Sequence, residues 1–99
     1  MLRLMIVDDE QIIREALSSM IDYTSLGYEV IATAKNGMEA YDRIRDDYPD
    51  VVITDIKMPI LNGLELIERA SRIDSRITFI LLSGYGEFEY AKQAMKYGV

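Results

Sequence analysis

Four side chains in this sequence have the chemistry of a phosphate or metal site: the carboxylates of Asp8, Asp9 and Asp55 and the hydroxyl of Ser83. Each stands just past a short apolar run. Leu2 to Val7 precedes Asp8-Asp9, Val51 to Thr54 precedes Asp55, and Ile77 to Leu82 precedes Ser83. If those runs are neighbouring strands of one open sheet, their carboxyl ends share a rim and the three carboxylates converge there. Crowded carboxylates repel one another, and a divalent cation relieves the repulsion. Carboxylate oxygens with open water positions suit Mg²⁺. Such a cation would offset the charge of an incoming phosphoryl group and of the carboxylate attacking it. Aspartate forms acyl phosphates, so Asp55 can serve as the nucleophile, and Ser83 can donate a hydrogen bond to a phosphoryl oxygen. Each residue also has a plainer role open to it. An Asp just past a strand commonly caps a helix or closes a turn, and Ser83 before Gly84 fits a turn. All three features fall at strand ends, so spacing favours a carboxylate metal site and goes no further.

Composition narrows the alternatives. The 99 residues contain neither Cys nor His. That excludes a disulfide framework, thiolate or imidazole zinc sites, a Ser-His-Asp triad and an internal phosphohistidine. The net charge of −6, from 17 acidic against 11 basic residues, argues against direct nucleic-acid binding by this segment, which needs clustered Lys and Arg. A mild acidic excess also simply keeps a surface soluble. No apolar run has the length of a membrane span, so the expectation is a soluble cytoplasmic protein without a membrane partner.

The elements that must position these residues follow from the apolar pattern. Leu2 to Val7 reads as a strand buried on both faces. Ile12, Ile13, Ala16, Leu17, Met20 and Ile21 recur at helical spacing. Leu26-Gly27 marks a break before a more alternating strand, Tyr28 to Ala34, placed near an edge. Asn36 and Glu39 have the spacing of a helix cap, with Met38, Tyr41 and Ile44 as the buried stripe and Pro49 as the stop. Val51 to Thr54 forms the third strand. Asn62 and Glu65 repeat the capping signature ahead of Leu64, Ile67 and Ala70. Ile77 to Leu82 is the fourth strand, and Glu87 to Tyr97 a fourth helix stopped at Gly98. Strands alternating with helices imply βαβ units, right-handed crossovers and a parallel sheet.

The motifs also carry a family resemblance. Leu4-Met5-Ile6-Val7-Asp8-Asp9-Glu10 resembles the first strand and acidic pair of response regulator receiver domains in two-component systems. Val51-Val52-Ile53-Thr54-Asp55-Ile56-Lys57-Met58-Pro59, followed by Asn62-Gly63-Leu64, resembles their phosphoacceptor strand and loop. Leu81-Leu82-Ser83-Gly84-Tyr85 resembles their switch strand, and the variant with Phe88-Glu89-Tyr90-Ala91 is similar to receivers joined to AraC-type effectors. The resemblance spans nearly the whole chain in the right order. It implies an α/β, flavodoxin-like, doubly wound parallel sheet of order 2-1-3-4, with residues 1–99 as one receiver domain lacking the usual fifth strand and helix. It implies Asp55 as phosphoacceptor, Ser83 as switch hydroxyl, and Mg²⁺ held by Asp8, Asp9, Asp55 and the Lys57 backbone carbonyl. It also implies a sensor histidine kinase as donor and DNA binding only through an absent C-terminal effector domain. The family's fifth-strand lysine has no counterpart in these residues.

Two further expectations concern partners and rival functions. With strand four at an edge, Ile77, Phe79, Ile80, Leu81 and Leu82 are incompletely covered, which predicts a homodimer or swapped dimer through strand four or helix four. A Mg²⁺-dependent phosphatase or phosphotransferase would use a similar acidic site. However, Lys57, two positions after Asp55, cannot supply the acid that protonates a leaving group. A non-phosphorylated pseudo-receiver used for dimerisation is the third reading, and the intact Asp8, Asp9 and Asp55 count against it.

Overall fold

Strands and helices alternate along the chain as the apolar pattern predicts. The computed structural model describes residues 1–82. The elements are β1 (Leu2–Val7), α1 (Gln11–Ser19), a 3-10 turn (Thr24–Leu26), β2 (Tyr28–Ala34), α2 (Gly37–Asp47), β3 (Val51–Asp55), α3 (Gly63–Ile73) and β4 (Thr78–Leu82). The strands lie in the order β2-β1-β3-β4, and every pairing is parallel. This is the expected flavodoxin-like sheet, with β2 at one edge. Ser83 and the fourth helix expected over Glu87 to Tyr97 lie outside the described residues.

The period-2 alternation of the strands divides the core between two faces. Met5, Val7, Val52 and Phe79 point to one face, where they pack with Ala40 and Ile44 of α2 and Leu66, Ile67 and Ala70 of α3. Leu4, Ile6, Val51 and Ile53 point to the other, where they meet Tyr23. The Tyr23 hydroxyl donates to the Leu17 carbonyl at 2.6 Å, and burial pushes its phenol pKa up.

Both asparagine caps form. Asn36 Oδ1 accepts the Glu39 N–H at 2.8 Å. In α3 the box is reciprocal: Asn62 Oδ1 accepts the Glu65 N–H at 2.9 Å and Glu65 Oε1 accepts the Asn62 N–H at 3.1 Å.

Several apolar residues lie elsewhere than expected. α2 buries Gly37, Ala40 and Ile44, while Met38 is 39% exposed. Gly37 rather than Met38 is buried, its bare Cα lying against Leu61, where a Cβ would overlap the Leu61 carbonyl. α3 buries Leu66, which the pattern missed, and leaves Leu64 half-buried. α1 buries no residue, and Ile12 and Met20 are each 81% exposed. Its chief described contact is β1, whereas α2 and α3 also pack on each other. Ile77, just before β4, and Phe79 within it are buried, contrary to the expectation that they are poorly covered; of the apolar residues in β4 only Ile80 is exposed, with Leu81 and Leu82 half-buried.

Candidate metal centre

The register of the two central strands brings the acids together. Val7 of β1 is paired with Thr54 of β3, so the two chains leave the sheet side by side, one into Asp8-Asp9 and the other through Asp55. One carboxylate oxygen from each of Asp8, Asp9 and Asp55 lies within 4.8 Å of the others. Asp8 is buried, Asp55 half-buried and Asp9 exposed, so the cluster runs from the sheet outward to solvent.

Asp8 is held at several points. Its N–H donates to the Ala34 carbonyl at 3.1 Å, and its Oδ1 accepts the Glu10 N–H at 2.9 Å. Its carbonyl accepts Nη1 of Arg14 at 2.8 Å. The turn role open to Asp8 and its place in the cluster are thus both realised: one oxygen closes the β1–α1 turn. Asp55 Oδ1 accepts the following N–H, of Ile56, at 2.8 Å, and its carbonyl accepts Thr54 Oγ1 at 2.9 Å.

The loop after β3 is anchored by Ile56, Met58 and Leu61, all buried, while Lys57, Pro59 and Ile60 are exposed. Ile60 has φ 71, in a region a β-branched residue rarely enters. The Leu61 N–H donates to the Pro59 carbonyl at 2.8 Å across it, the bond of a γ-turn, a strained form when φ is positive. Gly63 closes the loop by donating to the Ile56 carbonyl at 2.7 Å. A Cβ on Gly63 would overlap the Asp55 carbonyl oxygen and stand 3.0 Å from Ile56 Cα. Arg14 and Gly63 both touch the backbone of a pocket acid, and the sequence pattern singled out neither for the site. Gly63 read only as a helix start, and nothing in its spacing distinguished Arg14.

A donor set of three carboxylates within one small volume fits a hard, oxygen-seeking cation such as Mg²⁺. Among the described residues no other group of acids is arranged this way.

Comparison with known proteins gives consistent results. The family description of the response regulator receiver domain matches residues 4–99. The chain is 50% identical over all its residues to YesN of Bacillus subtilis, named as an uncharacterised transcriptional regulatory protein, and spans 27% of its length. Among solved structures, the receiver domain of AraT, a response regulator from Geobacillus stearothermophilus, is 36% identical with a TM-score of 0.91; the match covers 97% of this chain and 74% of that one. A two-component transcriptional regulator, AraC, from Clostridium phytofermentans is 34% identical with a TM-score of 0.90, at the same coverage.

Proposed function

The chain belongs to the response regulator receiver family, and on that premise we propose that Asp55 accepts a phosphoryl group from a sensor histidine kinase. Receivers are signalling modules rather than classical enzymes, and the reading here is of a phosphorylation switch. Asp8, Asp9 and Asp55 would hold Mg²⁺, with the Lys57 backbone carbonyl as a further ligand. When bound, the cation offsets negative charge on the phosphoryl oxygens and the acceptor carboxylate. A carboxylate oxygen of Asp55 forms the new bond to phosphorus as the donor nitrogen leaves. Asp8 is buried and tied into its turn by the Glu10 N–H, so it would serve as a fixed ligand rather than as the acceptor. Ser83 would donate its hydroxyl to a phosphoryl oxygen and act as the switch.

The observation that carries this reading is the convergence of the three carboxylates at 4.8 Å or less on the ends of adjacent parallel strands. Residues 1–99 would act as the receiver of a longer cytoplasmic transcriptional regulator whose DNA contacts come from an effector domain. The names of the relatives support that extension. Among the described residues no helix is long and apolar enough to cross a membrane. Association between copies through strand four or helix four belongs to the same proposal. It is supported by Ile80, 46% exposed on the outermost described strand.

Incubating the chain with Mg²⁺ and acetyl phosphate, followed by intact-mass measurement, tests the reading. It predicts a gain of one phosphoryl group that disappears in Asp55→Asn and when Mg²⁺ is chelated. An equal gain in Asp55→Asn, or none in the wild type, contradicts it.

A further inference from the structure

We infer that Arg14 is a positioning residue for the acidic pocket, holding the Asp8–Asp9 peptide in the orientation that presents both carboxylates to a divalent cation. The inference rests on the Mg²⁺ reading above and goes one residue beyond it. Arg14 stands in the first turn of α1. Its own N–H closes that turn on the Glu10 carbonyl at 3.0 Å, and its guanidinium turns back to the Asp8 carbonyl at 2.8 Å. One residue therefore fixes the start of the helix and the end of β1.

Of the polar groups of Asp8, that carbonyl is the one held by Arg14. The Asp8 N–H is fixed by Ala34 and the Asp8 carboxylate by the Glu10 N–H. Asp9 is exposed and has no side-chain hydrogen bond of its own among the described residues. The Asp8–Asp9 peptide is planar, so the direction of its carbonyl sets where the Asp9 backbone, and hence its carboxylate, is carried. Arg14 grips that carbonyl with a forked, permanently charged donor.

Charge and positioning predict opposite signs, which makes the inference testable. A guanidinium near three carboxylates weakens their attraction for a cation, so its removal by charge alone would tighten Mg²⁺ binding. Loss of the peptide contact would weaken it. Mg²⁺ affinity of the full chain is measured by calorimetric titration for wild type, Arg14→Met and Arg14→Lys, with thermal melting of each in the absence of Mg²⁺. Methionine keeps an unbranched stem and removes the donor, while lysine keeps the charge and a donor. Positioning predicts affinity weakened about tenfold in Arg14→Met, the scale of groups that orient metal ligands. It also predicts recovery of most of that loss in Arg14→Lys, with affinity not following the melting temperatures. Equal or tighter binding by Arg14→Met, or a loss in Arg14→Lys as large as in Arg14→Met, overturns the inference while leaving the metal reading standing. If the wild type takes up no Mg²⁺, the metal reading fails first and this inference with it.

Discussion

Gly63 shows how closely a pocket residue can depend on an atom that is missing. Its Cα lies against the Asp55 main chain, where a Cβ would overlap the Asp55 carbonyl oxygen. Backbone cannot yield as a flexible side chain can, so Gly63→Ala must move the start of α3 or the end of β3. We expect it to destabilise the fold by about 1–3 kcal/mol, the usual cost of overpacking. Chemical denaturation checks this, and a stability within about 0.5 kcal/mol of wild type, the scatter of neutral substitutions, would show that the loop relaxes without strain. Because the displaced atoms belong to Asp55, the same variant should also bind Mg²⁺ more weakly. Asp8 makes the complementary point. Its carboxylate both closes a turn and joins the cluster, so Asp8 substitutions change local structure and charge together. Asp9, exposed and without a side-chain hydrogen bond among the described residues, is the cleaner probe of charge.

At the scale of elements, the capping box of α3 carries its own prediction. Asn62 and Glu65 exchange two hydrogen bonds at the start of the helix, which follows directly after the Asp55 loop. Asn62→Ala should cost about 1 kcal/mol and lower the melting temperature by about 4–8 °C for a domain of this size. An unshifted melting curve would argue that the loop, not the box, fixes the helix start. These caps and the strand ends were legible in the sequence because they depend on local chemistry: an Asn with Glu three residues on, and apolar runs ended by Asp. The convergence of Asp8, Asp9 and Asp55 depends on strand adjacency, which the residues left conditional and only the family resemblance implied. What stayed hidden depends on close approach between distant segments. Met38 has the right character for a buried stripe, but Gly37 faces inward because Leu61 leaves room only for hydrogen there. The exposure of α1 was hidden for a similar reason: periodicity identifies an apolar stripe but not whether a second element comes to lie on it. The left-handed Ile60 has no sequence signal, since a β-branched residue would be the last choice for that conformation.

Among the described residues the two sides of the sheet are unequal. One is covered by α2 and α3; the other shows Ile21, Leu26 and Ile80 at 41%, 65% and 46% exposure, beside a cavity of about 240 Å³. An apolar face of this kind on an outer strand favours self-association. Light scattering should report a mass above that of a monomer as concentration rises, and Ile80→Lys should reduce it. A single monomeric mass throughout would remove the case for association through strand four. The wider account stands or falls on Asp55. The most direct test is to treat the chain with acetyl phosphate and Mg²⁺, reduce the acyl phosphate with borohydride, and sequence the peptides by mass spectrometry. Reduction converts a phosphorylated aspartate to homoserine. The account predicts homoserine at position 55 and nowhere else, while homoserine at 8 or 9, or at no position, would contradict it.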